Sequence, residues 1–202
     1  MLRDEFERLA LAELEPVYRF ARSLTRDTDR AEELVQEVYA RAFRAESIAS
    51  FVSRGGGMRA WLMTIARTRF YGMLEREQAG ARVIEGARDL ARCASGGEDD
   101  APTGVSLDEL DWSAASGVLY ERMGMMNAEL REVLWLWGVE GLRYKEIAEV
   151  MSTPIGTVMS RLHRARAQAA RVLLSDPATA AAVRRLGSMS NTADAGDRDG
   201  RP

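Results

Sequence analysis

Cysteine, histidine and lysine are almost missing from this chain. One cysteine, Cys93, among 202 residues excludes an internal disulfide and a cysteine-rich zinc site. One histidine, His163, leaves no histidine cluster for a metal. Lys145 is the only lysine among 28 basic side chains, so arginine carries nearly all the positive charge. Arginine is always charged and forks onto phosphates and base edges; a genome that favours arginine codons gives the same composition. No apolar run approaches the ~20 residues that span a bilayer. The N-terminal stretch MLRDEFERLALAEL is acidic and amphipathic, without the apolar centre of a signal peptide. No strand pattern longer than a few residues and no internal repeat stands out. Paired catalytic groups, a phosphate loop, a metal set and a cofactor motif are likewise missing, which makes an enzyme the weakest reading. The expectation is a soluble cytoplasmic protein with no cofactor, no metal and no membrane insertion.

What is present is a segregation of charge. The net charge is −3, so the chain as a whole is no basic nucleic-acid coat. Residues 1–79 are balanced, 80–112 carry a net −5, 113–174 a net +2, and 175–202 are balanced. The acidic excess coincides with SGGEDDAPTG (95–104), a cluster of helix breakers, and reads as a flexible linker between two folded units. Two windows contain no acid. Ser47 to Leu74 holds Arg54, Arg59, Arg67 and Arg69; Val150 to Ser175 holds Arg161, Arg164, Arg166 and Arg171. A polyanion meets no local repulsion at either window. Solvated helix faces lacking acids by chance are the plain alternative.

Hydrophobic periodicity predicts helices. Residues 5–25 place Leu9, Leu14, Val17, Tyr18, Ala21 and Leu24 at helical spacing, with Pro16 as a kink or split. Asp29 with Glu32 three residues on predicts a helix start. Leu34, Val35, Val38, Tyr39 and Ala42 then form one apolar stripe, opposite Glu33, Gln36, Glu37 and Arg41. Taken alone, that polar face reads as solvated. Gly55, Gly56 and Gly57 predict a loop. A helix with Trp61, Leu62, Ile65, Ala66 and Phe70 follows and should fade near Gln78 to Gly80. Helices resume near Trp112 to Gly124 and over Asn127 to Trp137, the latter with Leu130, Val133, Leu134 and Trp137 inward and Gly138 and Gly141 at its end. The tail 188–202 is small and polar and reads as disordered.

Residues 143–174 follow the helix-turn-helix plan: RYKEIAEVM, a short STP turn, then IGTVMSRLHRARAQAARVLL. Thr153 before Pro154 predicts an N-cap with proline at the first helical position. Val158, Leu162, Ala165, Ala169 and Val172 should form the buried seam. Thr157, Ser160, Arg161, His163 and Arg164 are left facing out, with side chains suited to phosphates and major-groove base edges. Gly156 lies at the N-terminus, where backbone N–H groups suit a phosphate. An αα-hairpin with a basic outer face is the alternative. In the window 47–74, arginines interleave with Phe51, Trp61, Phe70 and Tyr71, and flat rings beside guanidinium planes suit unstacked bases. Trp61 reads first as core, and of the neighbours Phe70 and Tyr71 one should be exposed.

Three stretches, RAEELVQEVYARAF (30–43), MRAWLMTIARTRFY (58–71) and the run from LREVLWLWGVEGLRYKEIAEVM through TPIGTVMSRLHRARA (130–167), resemble the extracytoplasmic-function (ECF, group IV) sigma factors of bacterial RNA polymerase. Residues 12–79 and 113–174 are similar to the family's two regions. The resemblance implies an all-α protein of two small helical domains joined by a flexible acidic linker. Region 2 falls within 1–79, the linker within 80–112, the region 4 helix-turn-helix within 113–174, and a tail after it at 175–202. It implies that Glu33, Leu34, Gln36, Glu37 and Arg41 dock on the clamp helices of core polymerase, with region 4 toward the flap. Arg54, Arg59, Trp61, Arg67, Thr68, Phe70 and Tyr71 would bind and melt the −10 element. Thr153, Gly156, Thr157, Ser160, Arg161, His163 and Arg164 would bind the −35 element. Core polymerase, promoter DNA and an anti-sigma factor are the implied partners. The pair Phe70–Tyr71 and the PIGTVMSRLHRAR run look most like the family's general-stress group. The chain departs from the common pattern at Thr68, Gly72, Ser152 and Met159, where many relatives carry Asn, Asp, Gly and a basic residue. A stand-alone helix-turn-helix regulator and a sigma-mimic adaptor that titrates an anti-sigma factor are the rival readings.

Overall fold

The computed structural model describes residues 3–44, 47, 48, 51, 57–84, 120, 121 and 123–174, apart from the side chains of 80–84, 125 and 172–174. The expected linker beyond residue 84, most of the helix expected near 112–124, the tail 175–202 and Arg54 lie outside the described residues. Among the described residues there is no strand, and seven α-helices have defined bounds. They are α1 (Arg3–Ala12), α2 (Leu14–Thr25), α3 (Thr28–Ala42), α4 (Gly57–Ile84), α5 (Ala128–Gly138), α6 (Tyr144–Met151) and α7 (Ile155–Leu174). A 3-10 turn, Met123–Met125, precedes α5. The chain divides into two compact units: one contains α1–α4 together with Ala148–Ser152 from the end of α6, and the other contains α5, the start of α6 and α7.

In the first unit α2, α3 and α4 pack against one another, with α1 against α2 and α4. The segment 5–25 splits at Glu13 because Pro16 forbids a continuous helix: its ring would clash with the carbonyl four residues back. Within the first turn of α2 its missing N–H costs nothing. The split resets the helical phase. Leu9 and Leu14, expected inward, are therefore exposed, while Phe6, Ala10 and Phe20 take the inner positions beside Val17, Ala21 and Leu24. Asp27, not Asp29, caps α3, its carboxylate accepting the N–H of Arg30 at 2.9 Å. The predicted stripe Leu34, Val35, Val38, Tyr39 and Ala42 is buried throughout. Helix α4 runs four residues past its expected end, because Gly80 sits between good helix formers and one glycine costs only about 1 kcal/mol.

Phe6 is the hub of this unit. Its ring is fully buried and meets Phe51 at 5.5 Å, Trp61 at 5.7 Å and Phe43 at 6.4 Å, all edge to face. Phe51 and Trp61 also pack on each other at 5.1 Å. Trp61 is thus a member of the aromatic core while keeping part of its surface in solvent. Tyr39 ties α3 to α1 by donating its hydroxyl to the carbonyl of Ala10 at 2.9 Å.

In the second unit Asn127 caps α5, its side chain accepting the N–H of Glu129 at 2.9 Å. Val133, Leu134, Trp135 and Leu136 are buried, whereas Trp137 is half-exposed and Leu130 is only partly covered. Buried Trp135 donates its indole N–H to buried Glu140 at 3.2 Å. Gly141, at φ +67°, turns the chain toward α6. Glu146 accepts the Arg143 N–H at 2.6 Å, half of a capping box that starts α6. Ser152, which with Ala148–Met151 is assigned to the first unit, closes α6 at φ 51°, a left-handed conformation that glycine would adopt without strain. The next helix begins one residue later than expected. Pro154, not Thr153, supplies the first helical carbonyl, to Val158, and the Thr153 hydroxyl is buried without a hydrogen-bond partner among the described residues. Helix α7 packs on α5, with Val158, Leu162, Ala165 and Ala169 buried as predicted.

Burial, and secondarily the charge of Glu13, pushes the Tyr39 phenol up to about 12 from its ordinary 10.0. The stability this neutral phenol contributes is complete below pH 10 and is lost as pH rises toward 12. Tyr39→Phe is expected to lower unfolding free energy by about 1 kcal/mol near neutral pH. Its chemical-denaturation midpoint should also fall less between pH 10 and 12 than that of the parent chain. Equal alkaline slopes would remove Tyr39 as the cause.

Candidate nucleic-acid interface

Three faces remain once the cores are assigned. The first is the outer side of α3. The seam turns Val35 and Val38 inward, and the helical repeat then leaves Glu33, Gln36 and Arg41 exposed and Glu37 partly so. Leu34, grouped with them on sequence, is fully buried, because it shares the seam; it supports the face from beneath and does not reach a partner. Arg30, on the flank of α3, pairs with Glu77 of α4.

The second face lies along α4. Arg67 stacks its guanidinium over the ring of Tyr71, 4.8 Å from the centroid. Phe70 packs edge-on to Tyr71 at 5.3 Å. Both rings are half-buried, so neither is wholly core nor wholly exposed, as adjacent positions on one helix require. Thr68 is exposed and returns its hydroxyl proton to the Thr64 carbonyl at 2.8 Å, leaving its methyl and oxygen lone pairs outward. Arg59 is engaged differently: it binds Glu13 at 2.6 Å, across the α1–α2 junction. An acid that the sequence window lacks is thus supplied from the junction of α1 and α2. The cluster of arginine and two rings set edge to face offers ring faces and a guanidinium, the groups on which unstacked bases can stack.

The third face is the outer side of α7. Gly156, Ser160, His163 and Arg164 are exposed, and Thr153 and Thr157 partly so. The Ser160 hydroxyl donates to the Thr157 carbonyl at 3.0 Å, so its oxygen remains an acceptor toward solvent. Arg161 is only 16% exposed and pairs with Glu129 of α5 at 2.7 Å. Arg166 lies 5.1 Å over the Trp137 ring, and burial pulls its guanidinium below the usual range. Of the four arginines in this acid-free window, two are therefore turned toward α5, while Arg164 and Arg171 stand at the surface. Sequence reasoning missed the inward turn of Arg161 and Arg166, whose partners Glu129 and Trp137 lie outside the window. It also missed two exposed apolar side chains on the helix, Ile155 and Met159. Among the described residues no group of acidic, cysteine or histidine side chains can hold a metal, and no helix is long and apolar enough to cross a membrane.

An arginine-aromatic cluster on α4 and a helix-turn-helix of α6 and α7 are features that nucleic-acid-binding proteins use. The model of the sigma-70 region 2 family matches residues 9–80, which span the cluster. That of sigma-70, region 4 matches residues 116–168, which include the helix-turn-helix. The ECF RNA polymerase sigma factor EcfG of Rhodopseudomonas palustris is 29% identical over 177 residues, 88% of this chain and 87% of the relative. The ECF RNA polymerase sigma factor SigL of Mycobacterium tuberculosis is 30% identical over 149 residues, 74% of this chain and 77% of the relative. Among solved structures, the sigma factor RpoE in complex with the anti-sigma factor NepR, from Bartonella quintana, matches with a TM-score of 0.59. It is 30% identical and covers 82% of this chain and 96% of that one. The chain belongs to the extracytoplasmic-function family of RNA polymerase sigma factors, which are transcription initiation factors.

Arg161 and Arg164 should separate on substitution. Arg161→Ala removes a bridge between α5 and α7 and is expected to cost up to about 1 kcal/mol of stability. Arg164→Ala should leave thermal unfolding unchanged and lower the salt dependence of DNA binding by about one phosphate contact. Thermal melts and salt titrations of both variants check this assignment.

Proposed function

We propose that this chain selects promoters for bacterial RNA polymerase through two elements read by two units, with no catalysis of its own. The α3 face of Glu33, Gln36, Glu37 and Arg41 docks on the clamp helices of the core enzyme, and the second unit lies toward the flap. The α4 platform of Arg67, Thr68, Phe70 and Tyr71 captures unstacked bases of the −10 element. Arg59 and Trp61 hold the N-terminal end of that helix in place. The α7 face, with Gly156, Thr157, Ser160, His163 and Arg164, lies in the major groove of the −35 element, and Arg161 braces it from the flank. Residues 80–112 act as the linker between the two readings, and the protein works in the cytoplasm.

What supports this reading is the pairing in one chain of an arginine-aromatic cluster, suited to single strands, with a helix-turn-helix, suited to duplex. A stand-alone regulator needs only the second. Joined on polymerase, two weak contacts gain from effective concentration. Strand opening then draws on base capture, with no hydrolysis required. The likeness to a sigma factor solved with an anti-sigma factor supports an anti-sigma partner for this chain. The resemblance of the Phe70–Tyr71 pair and the PIGTVMSRLHRAR run to the family's general-stress group supports a role in general stress.

Capture of core polymerase and transcription from a cognate promoter test the assignment together. Gln36→Ala combined with Glu37→Ala should lose capture of core enzyme. Arg164→Ala should retain capture and lose about ten-fold or more in transcription, the loss expected when a base or phosphate contact worth about 1–3 kcal/mol is removed. Equal loss of capture by both variants would contradict the division of faces.

A further inference from the structure

We infer that the N-terminal half of α7 recognises the C5-methyl group of a thymine through Ile155 and Met159. The inference rests on the reading of α7 as the helix that enters the major groove. Ile155 is 42% exposed and Met159 53% exposed, and they are the exposed large apolar side chains of the described second unit. Four residues apart on one helix, they stand one above the other on one side. Around them the surface is polar or cationic: Ser160, His163 and Arg164 are exposed, and no acid occurs between Val150 and Ser175. The charge of this face therefore fits a polyanion, whereas its two apolar side chains fit nothing that a phosphate offers. The apolar group that a base pair presents in the major groove is the thymine methyl.

Position and shape agree with that occupant. Ile155 opens the helix, and Met159 lies one turn on, in the part of a recognition helix that contacts base edges. Gly156, between them, has no neighbour within 4 Å of where a Cβ would sit, so glycine is not required there by packing inside the protein. Its missing side chain instead lowers the surface beside Ile155 and Met159 and lets the backbone approach the duplex. Methionine is unbranched and bends at three bonds, so it can follow a methyl into the groove. A guanidinium at the same position would favour guanine. An apolar patch of two side chains ringed by polar ones is small for a protein partner, whose interfaces centre on several buried anchors.

The test uses the full chain on core polymerase. The duplex is the one that this holoenzyme selects from a randomised promoter library, with each thymine of its upstream element replaced singly by deoxyuridine. Removing a buried methyl should weaken binding about four-fold at one or more positions. Met159→Ala combined with Ile155→Ala should bind the thymine and uracil duplexes alike, and Met159→Arg should shift the selected base toward guanine. The inference is overturned if the upstream element contains no thymine, or if every deoxyuridine is neutral for the parent chain. It is overturned equally if the methyl effect persists in the double variant, or if the two side chains prove to matter only for capture of an anti-sigma factor. Selection of no upstream element at all would instead overturn the reading of α7 on which the inference rests.

Discussion

Edge-to-face packing on Phe6 is the contact on which the first unit depends. The ring gathers the end of α3 through Phe43, the chain after it through Phe51, and the start of α4 through Trp61. Because Phe51 and Trp61 also meet each other, the chain leaves and returns to one point on either side of the glycine-rich stretch. That closure fixes where α4 begins. The beginning fixes its register, and the register decides that Leu62, Met63 and Ala66 go inward while Arg67, Thr68, Phe70 and Tyr71 line up at or near the surface. The polar face of α3 follows from the same packing, since Leu34 and Val38 are held in the seam between α2 and α4. The arginine-aromatic cluster of α4 and the polar face of α3 are two consequences of one core.

Charge is arranged by pairing as much as by position. Arg30 and Arg161 each meet an acid from a different helix, Arg59 meets Glu13 at the junction of α1 and α2, and Arg166 rests on a tryptophan. These cations brace the helices that carry the reading faces, and fewer remain at the surface to attract DNA. With a net charge of −3, the chain has little electrostatic affinity for arbitrary duplex. On the proposed function, specific binding comes from joining two modest contacts on polymerase.

Most of this was legible in the residues. The stripe Leu34, Val35, Val38, Tyr39 and Ala42 and the seam Val158, Leu162, Ala165 and Ala169 follow from helical spacing, and each is buried. Spacing and residue type already suggested nucleic-acid contacts on α4 and α7; resemblance added the family and the expected polymerase role of the α3 face, which spacing alone leaves as solvated helix. What the sequence hid is tertiary. Helical phase across Pro16 depends on where the break falls, so Phe6 and Phe20 were missed and Leu9 and Leu14 misplaced; the i to i+4 pair Phe6–Ala10 was the available signal. Thr153 was read one position too early because its hydroxyl faces inward instead of toward the helix N-terminus. Arg161 looked like a groove contact because Glu129, more than thirty residues away in sequence, cannot be seen from the α7 repeat.

The account stands or falls on whether one chain reads two DNA elements on polymerase. Transcription by core enzyme plus this protein, from a library randomised across the promoter, measures that directly. The account predicts selection of two short elements at a fixed spacing, with the downstream one tolerating pre-opened strands. Selection of a single duplex element, with binding undiminished when core polymerase is left out, would contradict it.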